Sequence, residues 1–253
     1  MAVILIPDAI RYEHGLCIRE KIIPDTAVWQ KDYRSGATVY SKGTKYKANL
    51  KLSGGTGRVQ GVTIHNTDRI AVTGTTPAEQ YTRATWPNCN MGTVRTHYYV
   101  DETGAWQNLR ENEVGWHAAD GNYGPGNNTT IAIEIIMGGN TAPEDLASEE
   151  NGALLCACLL SRYALSTEKV YQHHDFYPAK DCPVYIRPHW AQFLGRVKEH
   201  LAEFSSQQTC ADSAALSELQ KRYESLTALY EAQRTAMRTA AGTLLAAAGQ
   251  TEN

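Results

Sequence analysis

The run TIAIEIIM, Thr130–Met137, constrains this chain more than any other stretch. A near-continuous apolar run of this length marks a strand buried on both faces, in the middle of a sheet that helices cover on each side. Glu134 interrupts it. A carboxylate in such a strand is expensive to bury unless something requires it. One reading pairs Glu134 with an arginine at the sheet edge. The other makes it a general base that deprotonates a water activated by a metal ion.

The surrounding text supplies the rest of an α/β architecture. Val59–Asn66 (VQGVTIHN) alternates and is β-branched, which predicts a strand ending near His65. Thr76-Pro77-Ala78-Glu79 combines an N-cap, a first-turn proline and a capping-box glutamate, so a helix should run to about Trp86. Thr93–Asp101 and Ala105–Leu109 read as two strands joined by a turn at Glu102–Gly104. Glu144–Leu165 predicts a long helix, Lys169–Gln172 a short strand, and Pro188 the opening of a further helix with Trp190, Phe193, Leu194, Val197 and Leu201 on one stripe. Strands alternating with helices imply a central mixed β-sheet flanked by helices. The expected organisation is an N-terminal extension (1–58) packed on the main domain, the main domain itself (59–204), a polar linker (205–212) and a C-terminal long helix (213–253).

Chemistry concentrates in Gln172–Pro183, QHHDFYPAKDCP. Cys182 as thiolate and one of His173 or His174 as neutral imidazole are zinc ligand types, and His65 is the best third donor. Three protein ligands with an open fourth position is the pattern of a catalytic zinc site. Lys180, two residues before the cysteine, is placed to stabilise an oxyanion. His117 lies in GWHAADGNYGPGN, a loop composition that often grips substrate. His97 falls mid-strand and reads by itself as a packed or hydrogen-bonded core histidine, though it also stands as a substrate-side candidate. His14 lies in the unreadable N-terminal part; His189 and His200 sit near helix ends and should face solvent.

The net charge of −3 offers no basic surface for nucleic acid or for a membrane. No apolar run approaches the roughly 18 residues of a membrane span, and the start of the chain lacks the basic opening of a secretory signal. The expectation is a protein made in the cytoplasm without a signal peptide. Cys156 and Cys158 lie in an apolar helical run, where adjacent alternate positions diverge, and read as buried thiols. In the tail, Leu216, Leu219, Tyr223, Leu226, Tyr230, Gln233, Met237, Ala240 and Leu244 step alternately by 3 and 4. That is an a/d seam over about four heptads, and it predicts a homodimer through the C-terminal helix.

The order VTIHNT, THYYVDETGAWQNL, GWHAADG with Asn128 and TIAIEI following, then QHHDF and KDCP resembles the zinc-dependent N-acetylmuramoyl-L-alanine amidases of the amidase-2 group, akin to phage endolysins and peptidoglycan recognition proteins. The resemblance covers about Val59 to Leu201. It implies a three-layer α/β fold and hydrolysis of the amide between the muramic acid lactyl group and L-alanine of bacterial cell-wall peptidoglycan. It implies His65, His173 and Cys182 as zinc ligands, favouring His173 over His174. It implies Glu134 and Lys180 as catalytic groups and His117, with Asn128, on the substrate side. Where some relatives carry a tyrosine this chain has Thr96, so no tyrosine role is carried over. A phage-type enzyme reaching the wall after release would need no signal of its own. The rival readings are a non-catalytic peptidoglycan-binding module and a zinc amidase that recycles soluble muropeptides.

Overall fold

The computed structural model describes residues 5–24, 28–31, 38–40, 50–86 and 94–249. The chain forms two compact units, Met1–Ala202 and Glu203–Asn253.

The first unit is built on a seven-stranded mixed sheet. In chain order its strands are β1 (Ala9–Glu13) and β2 (Leu16–Glu20), then β5 (Gly61–Asp68), β6 (Tyr98–Asp101), β7 (Gly104–Gln107), β8 (Thr130–Met137) and β9 (Val170–Gln172); β3 (Val28–Lys31) and β4 (Thr38–Tyr40) form a separate antiparallel pair. The spatial order is β1-β2-β7-β6-β8-β5-β9. β6, β8, β5 and β9 run parallel as neighbours, while β1/β2 and β6/β7 are antiparallel hairpins. As its apolar run predicts, β8 is central and buried along its whole length.

Helices cover both faces. α1 (Pro77–Thr85) starts as its sequence dictates: the Thr76 side chain accepts from the Glu79 amide, and Pro77 occupies the first turn. The Glu79 carboxylate does not close the expected capping box on Thr76; it accepts from the Leu5 amide and from Arg83. Ala78 and Tyr81 of α1 pack on Tyr99, Trp106 and Ile136. A five-residue helix, α2 (Pro125–Thr129), leads into β8. α3 (Pro143–Arg162) lies on the other face, where Gly152 lets it approach Ile135: a Cβ there would stand 2.3 Å from Ile135 Cδ1. Ile135 and Ile136 are consecutive strand residues and point to opposite faces. Cys156 and Cys158 are buried in α3, as expected, and burial pushes the Cys158 thiol up to about 12.

Residues 9–20, read as part of an extension packed on the main domain, join its sheet: β2 pairs in parallel with β7. The hairpin is held from the side by Arg11, which reaches Glu13, Glu20 and the Tyr98 hydroxyl, and by Arg162, which joins Glu13 to Glu111. AIRYE and LCIRE are short and carry two charges each, so the pattern alone does not mark them as sheet strands. Residues 205–212 carry no helix break: α5 spans Trp190–Gly249. Ser and Gln lower helix propensity only slightly, so a polar composition alone does not end a helix. Part of the N-terminal extension, including residues 32–37 and 41–49, lies outside the described residues. In the second unit Leu219, Tyr223, Leu226, Leu229, Tyr230 and Met237 are all exposed. Among the described residues no helix is long and apolar enough to cross a membrane.

Candidate metal centre

The parallel register of β5 and β8 sets His65 opposite Glu134. Both side chains leave the same face, toward the carboxyl ends of the parallel strands, where open α/β sheets place their ligands. His65 Nδ1 stands 3.8 Å from Glu134 Oε1. β9 pairs with the other edge of β5 and delivers His173 as the first residue of a single-turn helix, α4 (His173–Phe176). A capping box fixes that turn, with the Asp175 side chain accepting from the Gln172 amide at 2.8 Å. The turn aims His173 inward. The neighbouring His174 staples the following loop: its amide donates to Cys182 O at 2.9 Å and its Nδ1 meets Lys180 O at 3.1 Å. Of the two histidines, His173 is the one grouped with His65 and Cys182. The same staple brings Cys182 back beneath β5.

The result is a closed cluster. His65 Nδ1 and His173 Nδ1 face each other at 3.0 Å, and Cys182 Sγ lies 3.9 Å from His65 Nδ1. The three ligand atoms all fall within 4.8 Å of one another, and all three residues are buried. A tetrahedral zinc ion with Zn–N of about 2.05 Å and Zn–S of about 2.3 Å separates such atoms by about 3.3–3.6 Å. The two distances from His65 Nδ1 lie within a few tenths of an ångström of those values, and the donor types are those of zinc.

The electrostatics agree. Burial holds His65 well below the usual histidine range, with His117, His173 and Lys180 adding to the effect. Burial, then Lys180, lowers His173 to about 4. Both rings are therefore neutral, the form that binds metal. Burial, followed by the neighbouring Glu134, pushes the Cys182 thiol up to about 12. A metal cation bound by this sulfur would hold it as a thiolate near neutral pH. Glu134 is raised to about 7 by burial, against the opposing Thr67 hydrogen bond and Lys180. Thr67 donates that bond to Oε2 at 2.6 Å. Lys180 itself is exposed, on the solvent side of the cluster.

A model of the N-acetylmuramoyl-L-alanine amidase family matches residues 55–185, half of the chain, including all three donors, Glu134 and Lys180. The chain belongs to the amidase-2 family. Among curated amidases it is 34% identical over 133 residues to N-acetylmuramoyl-L-alanine amidase XlyA of Bacillus subtilis (strain 168), covering 52% of this chain and 42% of XlyA. It is 29% identical over 136 residues to the amidase CwlH of the same organism, covering 54% of this chain and 52% of CwlH. The chain thus spans about half the length of the curated relatives it matches. Among solved structures, the catalytic domain of XlyA aligns with a TM-score of 0.55 at 26% identity, over 71% of this chain and 98% of that domain. A mutant endolysin from Bacillus subtilis aligns with a TM-score of 0.53 at 26% identity, over 71% and 97%.

The three substrate-side candidates are each held by neighbouring protein groups. His97 is fully buried, and both ring nitrogens are engaged by backbone: Ala132 N donates to Nδ1 at 3.0 Å and Nε2 meets Glu113 O at 2.9 Å. It is a core histidine, held at about 4 by burial. Asn128 spends its amide nitrogen on Asn122 O and Gly124 O, both at 2.9 Å, inside its own loop. His117 is buried, with its ring edge-on to His65. Sequence reasoning missed Asn127, fully buried, whose Oδ1 accepts from the His117 and Ala118 amides at 2.7 and 2.9 Å. It also missed Thr67. In the sequence nothing separates Asn127 from Asn128, whereas the Thr67 hydroxyl, two residues beyond a ligand histidine on one strand face, was findable.

Proposed function

We propose that this chain is a peptidoglycan hydrolase that cleaves the amide between N-acetylmuramic acid and L-alanine of the stem peptide, as a lytic enzyme of the phage endolysin type. The observation that supports it is the cluster of two neutral imidazoles and a thiol facing a buried carboxylate across the β5–β8 register. His65, His173 and Cys182 would hold zinc, which supplies Lewis acidity toward a carbonyl oxygen and a water. Glu134 takes a proton from the attacking water, whose oxygen bonds to the carbonyl carbon, and returns it to the leaving amide nitrogen as the C–N bond breaks. A carboxyl near 7 suits a group that must both accept and give that proton. Thr67 fixes Oε2, which leaves Oε1 on the side of the ligand cluster. The ammonium of Lys180 offers positive charge to the oxyanion from the open side.

The test is digestion of purified cell walls followed by mass spectrometry of the fragments. Stem peptides with free L-alanine amino termini and glycan with free lactyl carboxylates are expected. Glu134→Ala should cost at least about a hundredfold in rate. A normal rate in that variant, or cleavage only of soluble fragments, would overturn the assignment.

The second unit carries the self-association expected from its seam. Leu219, Tyr223, Leu226, Tyr230 and Met237 leave a narrow apolar stripe exposed on one chain, and a long helix with such a stripe is seldom stable without a partner. Sedimentation equilibrium should show a dimer that Leu226→Glu dissociates; a monomer at all concentrations would remove this part of the reading.

A further inference from the structure

We propose that His117 is a positioning residue for the metal ligand His65, fixing its tautomer and ring orientation through a direct imidazole–imidazole hydrogen bond. The inference rests on the zinc-site reading and replaces the substrate-contact role expected for this histidine. His65 turns its Nδ1 toward His173 Nδ1 and Cys182 Sγ. Its other nitrogen, Nε2, lies 3.1 Å from His117 Nδ1, with the two rings edge-on at 88°. A ligand nitrogen must be free of its proton, so a neutral His65 bound through Nδ1 carries its hydrogen on Nε2. His117 Nδ1 must then accept, which puts the His117 proton on Nε2, beside the Thr130 backbone. Each tautomer in the row follows from the one before it.

The acceptor is rigidly held. Asn127 Oδ1 takes the amides of His117 and Ala118, and Asp120 in turn accepts from the Gly126 amide at 2.6 Å and the Asn127 amide at 3.3 Å. Gly115 clears the space beside the ring: a Cβ there would stand 2.8 Å from His117 Cδ2. His117 keeps 6% of its surface, too little for a residue that grips a polymer. Ligand histidines commonly present their second nitrogen to a carboxylate or backbone carbonyl, and losing that partner costs 10–100-fold in metal affinity. Here a neutral imidazole takes that place.

The experiment measures zinc affinity by competition with a chromophoric chelator for the full chain, His117→Leu and His117→Asn. Asparagine places Oδ1 where Nδ1 stood and keeps the acceptor; leucine removes it. The leucine variant should bind zinc roughly 10–100-fold more weakly and the asparagine variant within about threefold of the parent. Equal zinc affinity in all three, with KM for cell wall raised in the leucine variant, would overturn the proposal in favour of substrate contact. A parent chain that binds no zinc would overturn the metal reading as well, so the two failures are distinguishable. Should the leucine variant not fold, nitrogen-15 spectra of the parent zinc protein decide: a proton on His65 Nε2 and a bare His117 Nδ1 are expected, and a proton on His117 Nδ1 refutes the row.

Discussion

Replacing Asn127 with alanine should harm this protein far more than the same change at its neighbour Asn128. The Asn127 side chain is fully buried, and its Oδ1 is the acceptor for two amides, those of His117 and Ala118. Its Nδ2 donates to Gly121 O at 3.1 Å. Removing the carboxamide strands two buried N–H groups, each costing about 1–3 kcal/mol when left without a partner. Alanine recovers only about 0.5 kcal/mol through better helix propensity in the short α2. The net loss is therefore roughly 2–5 kcal/mol. For a chain of this size each kcal/mol moves Tm by about 2–4 °C, so a fall of roughly 4–20 °C is expected. Asn128→Ala removes bonds to Asn122 O and Gly124 O at a partly exposed position of α2 where water can replace them, and should cost under about 1 kcal/mol. Urea melts of the two variants, with chelator present so that metal binding does not enter, give both numbers on one scale. If Asn127→Ala lost no more than Asn128→Ala, the claim that this amide anchors the His117 loop would be wrong.

Other expectations follow from the same geometry. Thr67→Val should lower kcat about tenfold by freeing Glu134 Oε2, whereas Thr67→Ser, which keeps the hydroxyl, should stay near the parent; equal rates in both would deny Thr67 a role in orienting the carboxylate. Burial holds His97 at about 4, below its ordinary 6.5, so the unfolded chain binds the proton first and stability falls as pH drops from 6.5 to 4. The loss from this residue is about 3 kcal/mol, and His97→Gln should show a correspondingly shallower decline in chelator-treated melts; an unchanged slope would contradict the assignment. Gly152→Ala should destabilise by about 1–2 kcal/mol, because the clash with Ile135 outweighs the roughly 1 kcal/mol of helix propensity gained, and a stabilised variant would mean α3 shifts freely on β8.

The sequence by itself determined the elements whose signals are local. The apolar run of β8, the Thr76-Pro77 start of α1 and the ligand chemistry of His65, His173 and Cys182 are all legible within a few residues, because they reflect burial, capping geometry and donor type. Tertiary structure decided whatever depends on partners distant in the chain. The place of β1 and β2 in the sheet rests on β7, some ninety residues away, so no local pattern shows it. The inward aim of His173 over His174 comes from the bond between the His174 amide and the Cys182 carbonyl. That Asn127 and not Asn128 anchors the His117 amide, and that the His117 ring lies against His65, follow from how the loop before β8 folds. A side chain's type fixes what it can do, but the direction it faces is set by long-range hydrogen bonds that no local pattern records.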